Sequence, residues 1–102
     1  MSIKLVVLYP RPIDESVFER MYHGQHIPLM RSLIAPASRV RTYRVRMPES
    51  SPFYRMAEVD FDDLAEFDAF ARSDGSKGAR RSAQQVSTGG EPWTLICERD
   101  PE

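Results

Sequence analysis

Cysteine is nearly missing from this chain of 102 residues: Cys97 is the only one. That excludes an internal disulfide framework and a multi-cysteine zinc site. A surplus of either charge is missing too. Fourteen Lys and Arg stand against 15 Asp and Glu, a net of −1, whereas a nucleic-acid binder is expected to carry a basic excess. No apolar run approaches the roughly 18 residues of a membrane-spanning helix. No basic stretch precedes the first apolar run and no small-residue cleavage site follows it. A secretory leader is therefore not expected, and the cytoplasm is the default location. There is no phosphate-cradling glycine loop, no dinucleotide fingerprint and no Ser–His–Asp order.

What is present suits one folded domain over residues 1–102: 41% hydrophobic, 28% charged and 10% aromatic residues. A core of this size is modest, and further burial in a homo-oligomer would add to it. Ile3 to Tyr9 is rich in β-branched and aromatic residues and stops at Pro10 and Pro12, which reads as a strand. Ile3, Leu5, Val7 and Tyr9 share one face, and Val6 and Leu8 share the other. A strand apolar on both faces belongs in the middle of a sheet. Asp14 is set to cap a helix carrying Phe18, Tyr22, Gln25 or His26, and Leu29 on one stripe. Gly24 and Pro28 fall inside that stripe, so a break or kink is expected near His26, with a shorter helical piece from Leu29 to Ile34.

Arg39 to Met47 and Phe53 to Phe61 flank Pro48–Pro52 and read as a hairpin. The four arginines of its first arm (Arg39, Arg41, Arg44, Arg46) suit an edge strand paired with acidic residues between 58 and 74. Glu58 on the second arm would need an arginine partner if buried. Asp62 and Asp63 cap a helix with the stripe Leu64, Phe67, Phe70 and Ala71. Ser73-Asp74-Gly75 ends it, Lys77 to Val86 is weakly helical, and Trp93 to Arg99 is the last strand. The order β-α-β-β-α-β gives an α+β, ferredoxin-like split βαβ arrangement. Its antiparallel sheet has the order 4-1-3-2, with the helices on one face. The other face still offers Val6 or Leu8, Tyr43 or Val45, and Leu95 or Ile96. An uncovered apolar face calls for a partner, and two copies packed sheet to sheet would close a dimeric barrel.

The densest polar and aromatic cluster is Phe18-x-x-x-Tyr22-His23-x-x-His26-x-Pro28-Leu29. Glu19, His23 and His26 fall within about 60° on a helical wheel, but a metal site built from one disturbed helix is a poor reading. A solvated face bearing Glu19 and His23 is the better one. Cys97 reads as a strand filler. His26 is the best single candidate for chemistry, because an imidazole exchanges protons near neutral pH. The plain alternative is a histidine that satisfies a carbonyl freed by Pro28. Tyr22 has the alternative of being simple core.

Phe-x3-Tyr-x3-His-x-Pro-Leu, after a strand ending in Tyr9 and Arg11, resembles the EthD family of the dimeric α/β-barrel superfamily. Asp63–Phe70 and Ser73–Ala83 resemble its later segments. Gln84–Ser87 departs from it, because such proteins often carry an Asp and then an aromatic residue there. The resemblance implies a homodimer with a small pocket between each subunit's own sheet and helices. It also implies a protein that handles small organic molecules in catabolic or biosynthetic pathways. On this reading no cofactor and no metal take part. His26 moves a proton, Tyr9, Tyr22 or Tyr43 holds an oxygen, and Phe18, Leu29 and Trp93 wall the pocket. The chemistry is isomerisation, cyclisation or proton transfer beside a carbonyl. The rival is a non-catalytic binding or accessory protein, and a third option is a monooxygenase-like enzyme.

Overall fold

In the computed structural model, which describes residues 2–101, four strands form one sheet. They are β1 (Ile3–Pro10), β2 (Val40–Arg44), β3 (Phe53–Phe61) and β4 (Trp93–Glu98). The order across the sheet is β2-β3-β1-β4, and every pairing is antiparallel. The expected ferredoxin-like α+β arrangement is the observed one. β1, apolar on both faces, is central, and the arginine-bearing β2 is an edge. The first hairpin arm is shorter than expected and ends at Arg44.

Four α-helices complete the chain: α1 (Glu15–Met21), α2 (Ile27–Leu33), α3 (Leu64–Arg72) and α4 (Asp74–Val86). Each start except that of α2 has a side-chain cap. Asp14 accepts from the Val17 N–H, Asp63 from Glu66 and Ser73 from Ser76. Ser73 both ends α3 and caps α4, so the segment after it is a full 13-residue helix rather than a weak one. Among the described residues no helix is long and apolar enough to cross a membrane.

Cross-strand partners share a face, so the register sorts the side chains. Val40, Val59, Leu5 and Ile96 form one row across the sheet, on the face beneath the helices. Tyr43, Met56, Leu8 and Trp93 form another, on the opposite face. Above the first face, Ile3, Leu5, Val59 and Phe61 pack with Met30 and Ile34 of the α2 region. At the other end of β1, Tyr9, Phe18, Tyr22 and Tyr54 pack as an aromatic group. Phe18 stacks on Tyr22 at 5.1 Å and meets Tyr9 and Tyr54 edge-on at 5.6 and 5.3 Å.

A shift in pairing between Tyr9 and Pro10 sets Arg55 opposite Tyr9 and passes over Tyr54, and both Tyr54 and Arg55 are buried. A buried guanidinium needs compensation. Arg55 receives it from Glu19, which takes its Nε at 3.1 Å and its Nη2 at 2.5 Å. The Tyr22 ring lies 5.1 Å below the guanidinium carbon. Glu19 is thus an anchor for a buried cation and not part of a solvated face. Arg41 and Arg39 pair as expected, the first with Glu58 and Asp60, the second with Asp62 and Glu66. Arg44 pairs instead with Glu15. Glu58 is shared between Lys4 at 3.2 Å and Arg41 at 3.7 Å.

The turn before β4 depends on Gly89. A Cβ there would lie 1.7 Å from the Arg11 carbonyl oxygen, so any side chain would push this turn off the end of β1.

Two substitutions in the aromatic group separate packing from hydrogen bonding. Phe18→Ala should cost about 3–5 kcal/mol, because it empties the centre of the group. Tyr54→Phe should be neutral or stabilising. Among the described residues the Tyr54 hydroxyl is buried with no hydrogen-bond partner, and removing an unsatisfied group carries no penalty. Urea unfolding at pH 7 reads both. A loss above about 1 kcal/mol for Tyr54→Phe would mean that the hydroxyl is bonded.

Candidate functional site

The expected break near His26 is replaced by something more specific. The helix runs on through a π-helical turn, Tyr22–His26, in which the Ile27 N–H reaches back to the Tyr22 carbonyl. Pro28 follows directly. It has no N–H for the Gly24 carbonyl, and in a regular α-helix its ring would press on that carbonyl. A widened turn absorbs the conflict without ending the helix. Tyr22 and His26, at the two ends of the turn, are both buried.

His26 is held at both ring nitrogens. Nε2 lies 3.1 Å from the Tyr9 hydroxyl of β1. Nδ1 lies 3.0 Å from the Ser82 hydroxyl of α4. The residue is only 4% exposed, and Tyr9 is closed off from bulk solvent. Burial penalises the charged imidazole and lowers its pKa from 6.5 to about 4. Burial also raises the pKa of the Tyr9 phenol, with the neighbouring Tyr22 adding to the rise. Both groups are therefore neutral at pH 7.

Beside this pair lies a cavity of about 330 Å³, at the lower end of the range for small-molecule sites. Leu5, Val7 and Val59 form its floor, Ile27 and Met30 of α2 one wall, and Phe67 and Phe70 of α3 another. Its roof is α4, which presents Ser76, Ala79 and Ala83. Those short side chains leave open the space that larger ones would fill. His26 and Tyr9 are part of the lining, as are Arg80, Gln84, Glu91, Thr94 and Ile96. These last five are exposed, so the cavity opens between α4 and β4.

The structure brings Tyr9 and His26 together at the cavity. Phe18 and Tyr22 lie behind them in the aromatic group, where Tyr22 bonds Thr42 at 2.7 Å. Leu29 packs against the core and is not part of the lining. Tyr43 and Trp93 are on the wrong face for the pocket. Their register places them on the open side of the sheet, 42% and 59% exposed. The Glu19, His23 and His26 side chains do not converge. Glu19 turns to Arg55, His23 stays exposed with its Nε2 3.9 Å from the Glu19 carboxylate, and His26 points inward. Among the described residues no cluster of His, Cys, Asp and Glu could hold a metal ion.

Two residues escaped the sequence reading. Arg55 left a signal: it shares the two-residue period of Ala57, Val59 and Phe61, the buried side of β3. Ser82 left none, because its contact with His26 spans 56 residues.

An ethyl tert-butyl ether D (EthD) family protein from Bacillus halodurans C-125 is 27% identical, with a TM-score of 0.85 over 98% of this chain and 100% of that one. A dimeric ferredoxin-like protein of unknown function from Jannaschia sp. CCS1 is 17% identical, with a TM-score of 0.71 over 97% and 100%. A DABB family protein with a ferredoxin-like fold from Mesorhizobium loti is 12% identical, with a TM-score of 0.72 over 98% of each chain. None of the curated proteins matches the chain. The EthD domain model matches residues 10–79, a span that carries β1's end, the π-helical turn with His26, the hairpin and α3: this chain belongs to the EthD family.

Proposed function

We propose that this protein accepts a small apolar or aromatic metabolite in the cavity and moves a proton on it by cofactor-independent acid–base chemistry, with His26 at the centre. One observation carries the reading: an apolar cavity that ends on a desolvated imidazole–phenol pair. In such a place hydrogen bonds to a ligand oxygen are stronger than in water. A neutral imidazole can accept a proton, and the phenol beside it can take one from a ligand while passing its own to the imidazole. The chemistry this supports is isomerisation, cyclisation or proton transfer beside a carbonyl.

We also propose a homodimer through the open face of the sheet. Val6, Leu8, Tyr43, Met56, Trp93 and Leu95 lie there in adjoining rows, and Tyr43, Trp93 and Leu95 are at least 42% exposed. Patches of this kind mark interaction sites. The ion pairs of Lys4 and Arg41 with Glu58 and Asp60 begin in the row of Val6 and Leu95 and continue into the next row, and would set the register of two sheets.

A second reading, binding without turnover, is favoured by the occupancy of both His26 nitrogens. The two readings separate at His26→Ala: turnover is lost under the first, and none exists to lose under the second.

Occupancy of the cavity is tested with 2-naphthol followed by amide chemical shifts. Perturbations should cluster on Met30, Phe70 and Ala83 and vanish in Ala83→Trp, which fills the space. No perturbation at millimolar ligand would refute the pocket. For the dimer, light scattering should give twice 11.7 kDa, and Leu95→Arg should return the single-chain mass. A wild-type monomer at micromolar concentration would refute it.

The burial of His26 also makes stability depend on pH. Its folded pKa of about 4 lies below the ordinary 6.5, so the unfolded chain takes up the proton first. The contribution is complete above pH 6.5 and is lost as pH falls toward 4, by roughly 3 kcal/mol in all. Urea unfolding of the wild type minus that of His26→Gln should show this slope between pH 7 and 4. A flat difference would mean that His26 is hydrated.

A further inference from the structure

The two hydroxyls that hold His26 have unequal surroundings, and that inequality fixes the direction of the hydrogen bonds. Tyr9 is fully buried, and among the described residues its hydroxyl has one hydrogen-bond partner, His26 Nε2. If Nε2 carried the proton, the Tyr9 O–H would have no acceptor, and a buried unsatisfied donor is costly. Ser82 is only partly buried, so its own O–H can turn to water when its oxygen accepts from the imidazole. A phenol is also the stronger donor and an aliphatic alcohol the better acceptor. All three points agree. The Tyr9 O–H donates to Nε2, the Nδ1–H donates to Ser82 Oγ, and the Ser82 O–H faces solvent.

We infer that Ser82 is a positioning residue: it holds His26 as the Nδ1–H tautomer and forms the solvent-side end of a Tyr9–His26–Ser82 proton relay. The relay deepens the acid–base reading above and rests on it; the tautomer does not. A proton delivered from a cavity-bound acid to the Tyr9 oxygen displaces the phenol proton to Nε2. The Nδ1 proton then passes to Ser82, and the Ser82 proton passes to water. The solvent gains the proton that the ligand loses, the ligand is left as an anion facing the new Tyr9 O–H, and His26 is left neutral as the Nε2–H tautomer, so no protein group is charged. That matters here, because burial disfavours both the imidazolium and the phenolate. The reverse sequence delivers a proton to the ligand.

The test is made on ligand-free, 15N-histidine-labelled protein at pH 7 by long-range 1H–15N correlation, with His23 identified through His23→Gln. The wild type should show a protonated Nδ1 and an unprotonated Nε2 at His26. In Ser82→Ala the Nδ1–H proton should move upfield and exchange with water at least tenfold faster, and Ser82→Thr should restore both. In Tyr9→Phe the proton should stay on Nδ1, because an Nε2–H would face the Phe ring with no acceptor. A wild-type spectrum with the proton on Nε2 overturns the inference without recourse to any variant. So does a Ser82→Ala spectrum in which the Nδ1–H is unchanged. Failure of 2-naphthol to bind, with the Nδ1–H form present, would remove the proposed function and the relay's use while leaving the assignment of Ser82 intact.

Discussion

An imidazole held away from water by hydroxyls on both sides is the constraint on which the rest of the site depends. Three elements must meet to hold it: the end of β1 supplies Tyr9, the π-helical turn supplies His26, and α4 supplies Ser82. Pro28 makes the turn wide, so the local chemistry of the helix and the chemistry of the site are one arrangement. Such irregular turns recur at functional sites. Here the turn keeps the long helix intact while both of its aromatic ends, Tyr22 and His26, stay buried.

The polar groups behind the cavity are supported by a second network. Glu19, Arg55, Thr42 and Tyr22 are joined by hydrogen bonds, and Arg55 lies over the Tyr22 ring. Tyr22 also meets Tyr9 edge-on at 5.4 Å. The ion pair thus stiffens the aromatic group that positions the Tyr9 ring. The cavity itself comes from what α4 lacks. Its inward residues are small, and β4 beside it is exposed along its whole length, so the space is never filled or fully closed.

Much of the fold could be read in the sequence because its signals are local. The two-sided apolarity of β1 gave its central place, and Asp14 and Asp63 marked helix starts. His26 and Tyr9 could be nominated because one helix stripe and one strand end converge in this topology. Tyr43 and Trp93 lie on the face opposite the one expected for them. A shift of one residue in strand pairing moves a side chain to the other face of a sheet, and the loose hairpin loop leaves that parity open. Gly24 and Pro28 read as a break because their local effect is disruptive; the packing of Tyr22 and His26 turned that disruption into a widened turn. Ser82 sits in a polar helix whose relation to His26 exists only after folding.

The dryness of the His26 site is the claim on which the acid–base reading and the relay both stand. The most direct measurement is an NMR titration of the His26 ring in the folded protein. The account predicts a ring that stays neutral through pH 5, with a midpoint near 4. A midpoint near that of an ordinary histidine, about 6.5, would show a hydrated imidazole and contradict it.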